Sequence, residues 1–187
     1  HNLPTYEADK YRALIGTGIK DLIKEILLPL KIEEAFVTQL VVEYREAYTK
    51  KWAINTKVYN GILELLTYLA KKHIPCCILT NKKQELTRIM VKHFFPNHHF
   101  ELILGATPQS PKKPDPTLAL KIAKELNLTP SEIIFVGDTQ VDIQTALAAK
   151  MQPIGVLWGF RSAAELAVSG AKILIQNPAE LKDSLAL

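Results

Sequence analysis

The chain has no stretch approaching the roughly 20 uncharged apolar residues that a membrane-spanning helix requires, so no such span is expected. It has only two cysteines in 187 residues, and they are adjacent. Cys76 and Cys77 stand inside the apolar run 74–79. Neighbouring strand residues point to opposite faces, so the two are badly placed to pair, and no metal-ligand spacing is present. Buried, reduced thiols are expected. There is no internal repeat and no low-complexity segment, which sets aside solenoids and compositionally biased linkers. The first residues, His1-Asn2-Leu3-Pro4, lack both an initiator methionine and the basic-then-apolar pattern of a signal peptide. The expected location is cytoplasmic, and His1 is not expected to be the start of the gene product. The formal charge is +4 and the pI near 9.0, but no dense basic run with interleaved aromatics occurs. Lys71, Lys72, Lys82, Lys83, Lys121 and Lys124 are scattered and mixed with glutamate, so no nucleic-acid partner is expected. His73, His93, His98 and His99 have no triad partner or metal spacing.

What is present is the composition of a globular protein, 48% hydrophobic and 22% charged, long enough for one core plus a small insert. Residues 8–15, 19–29 and 33–51 carry apolar positions three and four apart, with breaks at Gly16-Thr17-Gly18 and near Pro29. Residues 1–57 therefore read as a small helical domain. From Asn60-Gly61 the pattern alternates. Helices are expected over 62–72, 83–94, 115–126 and 143–150, with Asp115 as cap and Pro116 in the first turn of the third. Strands are expected over 75–79, 101–104, 132–136, 153–157 and 171–175. Ser162 and Glu165 fit a capping box, and Pro178 begins a terminal helix. The fold class is α/β: residues 58–187 imply βαβ units on a parallel sheet. Ligands of such sheets collect at the carboxyl ends of strands.

Three segments fall at such ends. Ile134-Phe135-Val136-Gly137-Asp138 is a β-prone run ending in glycine and aspartate, and Asp142 follows four residues later. Two carboxylates at one strand mouth suit Mg²⁺, which takes few protein carboxylates and completes its shell with water and phosphate oxygens. An aspartate cap on a βα turn explains the same spacing. Thr80-Asn81-Lys82 follows an apolar strand and offers side-chain and backbone donors to an anion, or else an N-cap. The loop 108–116 holds Pro111, Pro114 and Pro116 beside its first proline, so Lys113 is restrained in an extended form and can offset phosphate charge.

These residues in this order resemble the haloacid dehalogenase-like hydrolase superfamily, and within it the phosphoglycolate phosphatase-like group. The resemblance is carried by Leu79-Thr80-Asn81-Lys82, Lys112-Lys113-Pro114-Asp115-Pro116 and Val136-Gly137-Asp138-Thr139-Gln140-Val141-Asp142. Tyr59-Asn60-Gly61-Ile62, Leu14-Ile15-Gly16-Thr17-Gly18 and Gly155-Val156-Leu157-Trp158-Gly159-Phe160 support it. It implies a Rossmann-like core with an inserted helical cap, and Mg²⁺-dependent phosphoryl transfer from a small phosphorylated metabolite through an aspartyl-phosphate. In that scheme Thr80 and Asn81 bind the phosphoryl oxygens, Lys113 offsets charge between nucleophile and phosphate, and Asp138 and Asp142 serve the metal. Arg12, Lys20 and Arg45 are candidate anion contacts in the cap. The group's first motif, Asp-x-Asp-Gly-Thr at the end of a first central strand, is not in this sequence; Asp9 and Asp21 follow no strand. The chain is therefore expected to be a truncated, cleaved or incompletely resolved form of a parent enzyme, inactive alone. A sugar-phosphate mutase, another phosphatase of the group or a catalytically inactive binding relative fits the same residues. Oligomeric state is not readable.

Overall fold

The structure is a computed structural model describing residues 1, 3–30 and 32–185. It divides into two compact units, His1–Thr56 and Lys57–Leu187. The first holds α1 (Ala8–Ala13), α2 (Ile19–Leu27) and α3 (Glu34–Lys51). Ile19, Ile23 and Leu27 recur every four residues along α2, and this stripe packs with Val37 and Val41 of α3. Glu34 receives the ammonium groups of Lys20 at 2.5 Å and Lys24 at 2.8 Å, which hold its carboxyl down to about 2. Lys20 is thus engaged with a carboxylate of its own unit. A shallow hollow of ≈ 350 Å³ on α3 is lined by Arg45, Glu46, Thr49 and Lys50 and gathers none of the strand-end residues.

The second unit alternates as the sequence predicts. In order it holds α4 (Ile62–Lys71), β1 (Cys77–Lys83), α5 (Gln84–Phe94), β2 (Leu102–Ala106) and α6 (Thr117–Glu125). It continues with β3 (Ile134–Gly137), α7 (Gln140–Ala148), β4 (Gln152–Val156), α8 (Ala163–Val168), β5 (Ile173–Ile175) and α9 (Leu181–Ser184). All pairings are parallel. They form two pieces, β1-β2 and β3-β4-β5, and among the described residues no strand joins them. β1 and β3 nevertheless lie over the same helices. Leu79 and Phe135 both pack on the cluster of Ala119, Ala123, Ala146, Ala149 and Met151. On the other face Cys76 and Ile134 share the cluster of Leu65, Leu69, Ile154, Val156, Ile175 and Leu181. Val136 of β3 is 40% exposed, and nothing described lies along the free edge of that strand. Cys76 and Cys77 are unpaired thiols, and burial pushes both above the usual thiol range.

β1 runs four residues past its expected end. Its register with β2 is regular from Cys77↔Leu102 to Leu79↔Leu104, then resumes at Lys83↔Ala106. Four steps along β1 thus match two along β2, a bulge that lifts Thr80-Asn81-Lys82 out of the ladder. The Gln84 side chain bridges the break: its Nε2 donates to Ile103 C=O at 2.9 Å, and its Oε1 accepts from Gly105 N–H at 2.6 Å. Gly105 is required there, since a Cβ would lie 2.7 Å from both Gln84 Cα and Lys82 O. Thr80 is consequently no helix cap; α5 begins at Gln84. Similarly, α6 begins one residue later than expected: Pro116, not Asp115, stands at its N-cap, and Asp115 one residue earlier accepts from Thr117 N–H through Oδ1 at 2.8 Å. The Ser162–Glu165 capping box is present.

Gln84→Leu strands the buried Gly105 N–H and Ile103 C=O. Chemical denaturation of this variant should show a loss of about 1–3 kcal/mol in unfolding free energy.

Candidate active site

Lys113 is placed by its own backbone. Its N–H donates to Asn81 Oδ1 at 2.8 Å, and Asn81 Nδ2 returns a bond to the Lys113 carbonyl at 3.1 Å. One side-chain amide thereby pins the loop before α6 to the bulge of β1, as a neighbouring strand would. The ammonium then reaches two acceptors. It donates to Leu79 C=O at 3.2 Å and to Asp142 Oδ1 at 2.5 Å, with the Phe135 ring centroid 5.9 Å away. The lysine and aspartate side chains are 12% and 8% exposed, so this is a buried ion pair. It connects β1 to the start of α7, across the line where the sheet divides.

Asp142 has a second task. It is the third residue of α7, and its Oδ2 accepts from Thr139 N–H at 3.1 Å and Thr139 Oγ1 at 2.7 Å, forming a capping box. Gly137 makes room, because a Cβ there would lie 2.1 Å from Asp142 Cβ. The cap reading of Asp142 is therefore correct, and its carboxylate is occupied on both oxygens.

Asp138 is differently placed. Its Oδ2 accepts from Phe160 N–H at 2.9 Å, and a Cβ on Gly159 would lie 2.2 Å from Asp138 Cβ. The loop after β4 folds closely over it. Burial pushes the Asp138 carboxyl above the ordinary range and the nearby Asp142 charge adds to this, while the Phe160 N–H and Lys113 oppose it. Thr80 lies next to Leu79 in the bulge, and its Oγ1 accepts from Lys82 N–H at 3.2 Å. A hydroxyl that accepts in this way still has an O–H to donate.

Asn81, Lys113 and Asp142 are thus linked through hydrogen bonds, Thr80 stands beside Asn81 in the bulge, and Asp138 is coupled to Lys113 and Asp142 electrostatically. Among the described residues no three histidine, cysteine, aspartate or glutamate side chains gather as a metal site. Mg²⁺ does not require that many; one or two carboxylates with water and phosphate oxygens suffice. The donor set fits such an ion at Asp138, where confined negative charge is under-compensated. Sequence reasoning assigns no role to Thr139, Gln84 or the Phe160 N–H. Gly159-Phe160 directly follows the β4 strand region, and the strand-end rule could have flagged it.

The haloacid dehalogenase-like hydrolase family matches residues 1–156. A phosphoglycolate phosphatase of Chromobacterium violaceum is 29% identical over 184 residues, covering 97% of this chain and 82% of that protein. A phosphoglycolate phosphatase of Pseudomonas putida is 25% identical over 178 residues, covering 93% of this chain. The chain spans 65% of that relative's length. A haloacid dehalogenase-like family hydrolase from Streptococcus pneumoniae superposes with a TM-score of 0.84 at 23% identity, covering 97% of this chain and 82% of that one. That last likeness is one of fold.

Two stability measurements follow from the electrostatics. Lys113→Met leaves a buried, unpaired carboxylate, and should cost on the order of 3 kcal/mol in denaturant unfolding. Asp138→Asn should have the opposite sign. A folded-state pKa above the unfolded value makes ionisation unfavourable to the fold, so the wild type loses stability as pH rises through it. In metal-free buffer the asparagine variant should melt higher at pH 7, and the gap should close below about pH 4.

Proposed function

The chain belongs to the haloacid dehalogenase-like hydrolase family, and from that premise we propose that its parent is a Mg²⁺-dependent phosphatase of small phosphomonoesters such as 2-phosphoglycolate. One observation carries this reading: a buried ammonium, Lys113, held between Leu79 C=O and Asp142 where parallel strands end, with Thr80 next along the chain from Leu79 and Asp138 within reach of its charge. The names of the two bacterial relatives support the substrate class. Among the described residues no helix is long and apolar enough to cross a membrane.

In this reading the Thr80 hydroxyl donates to a phosphoryl oxygen, and Asn81 fixes the bulge from which it does so. Lys113 lowers the repulsion between an attacking carboxylate and the phosphate. Asp138 holds Mg²⁺, and Asp142 steadies the loop through Thr139 and Lys113. A bound magnesium ion would withdraw charge from the equatorial oxygens during in-line displacement. The attacking carboxylate forms a new O–P bond as the ester P–O bond breaks. The alcohol departs with a proton taken from solvent, and water then attacks the acyl phosphate, losing a proton to solvent, to release inorganic phosphate and restore the carboxylate.

Neither Asp142 nor Asp138 is suited to attack. The first is bound on both oxygens, and the second is held by Phe160. We assign the nucleophile to a strand preceding His1 in the parent, lying between β1 and β3 and pairing with both. The 187-residue chain alone should then release no phosphate.

The test is phosphate release from 2-phosphoglycolate by the parent with and without Mg²⁺. Asp138→Asn should lower the Mg²⁺-dependent rate by more than about a hundredfold, since metal ions contribute several kcal/mol to such transition states. Unchanged turnover would refute the metal role, and an inactive parent would refute the phosphatase reading.

A further inference from the structure

Arg161 is buried, with its side chain 5% exposed. A guanidinium is kept from water only where its surroundings hold it. Its Nε donates to Gln140 Oε1 at 3.3 Å and lies 3.8 Å from Glu165 Oε1. Both partners stand at helix starts. Gln140 is the first residue of α7, between Asp138 and Asp142, and inside the span of the Thr139–Asp142 capping box. Glu165 closes the second box, with its Oε2 accepting from Ser162 N–H at 2.9 Å and Ser162 Oγ at 2.7 Å. Arg161 therefore joins two helix N-termini that are distant in sequence. The residues just before it are those that hold Asp138: Gly159 gives the space and Phe160 gives the N–H.

We propose that Arg161 is a positioning residue for the candidate metal carboxylate: by tying Gln140 to the α8 capping box, it fixes the loop that keeps the Phe160 N–H on Asp138. The metal part of this rests on the function proposed above; the loop part does not. Arg161 touches no reacting atom. It acts through Gln140 and through its own backbone neighbour. Second partners of this kind set the orientation and basicity of a ligating carboxylate, and their loss costs about 10–100-fold in metal affinity.

The experiment uses the whole chain and two readouts: hydrogen exchange at the Phe160 amide in metal-free buffer, and Mn²⁺ affinity by electron paramagnetic resonance. Arg161→Met and Gln140→Leu should each speed Phe160 exchange by about tenfold and weaken Mn²⁺ binding by about tenfold. Exchange at the Ile143 and Ile154 amides should not move. The double variant should be no worse than either single one, because the two residues form one connection. Arg161→Lys, which keeps a donor for Gln140, should recover most of the protection. Gln140 is exposed, so its variant tests the link even if Arg161→Met fails to fold. Unchanged Phe160 exchange in Gln140→Leu, or additive effects in the double variant, would overturn the proposal. A wild-type chain that binds no Mn²⁺ but loses Phe160 protection on substitution would refute the metal reading alone and uphold the loop assignment.

Discussion

The buried pair between Lys113 and Asp142 is the contact on which this unit depends. Two charges taken from water carry a large desolvation cost, and a pair is tolerated only when remaining donors and acceptors are also satisfied. Here they are. The ammonium has Leu79 C=O as a second acceptor, and the carboxylate has both donors of Thr139. The result is a polar joint between two pieces of sheet that share no ladder bond among the described residues. Apolar packing on the alanine-rich cluster draws β1 and β3 over the same helices, and this joint ties the mouth of β1 to the helix that follows β3.

The joint also separates the duties of the two aspartates. Asp142 is committed to structure: it pairs with a lysine and starts a helix. Asp138 is met by backbone donors, the Phe160 N–H and its own, in a place whose burial disfavours its charge. A cation or an added proton would relieve that state. Two carboxylates four residues apart thereby become unlike groups, one a fixed strut and the other a group whose charge its burial opposes, purely through what surrounds them.

Much of this was legible in the residues. The alternation of apolar runs with helical periods gave the α/β fold, and the strand-end rule drew attention to Thr80, Lys113, Asp138 and Asp142 before any coordinates. Spacing alone left Asp142 open between a cap and a ligand, because both uses accept a carboxylate in the first turn of the helix that follows a strand end. The extension of β1 to Lys83 was not legible. It depends on Gln84 replacing two backbone groups across a bulge, and a glutamine beside a strand looks like any surface residue. The Phe160 N–H was hidden for a simpler reason: every residue except proline has one. Arg161 was equally obscure. Its i,i+4 relation to Glu165 suggests an exposed helix pair, whereas it is buried and also bonds Gln140, distant in sequence.

The division of the sheet has one more consequence. A parallel edge with unpaired N–H and C=O groups is a template for any extended segment of matching polarity. β1 and β3 present two such edges, and Val136 adds an exposed apolar side chain to one of them. In a crowded solution the handiest segment of that kind is a strand from another copy. Unpaired inner edges of this kind favour self-association through exchanged strands, and covering them removes that route.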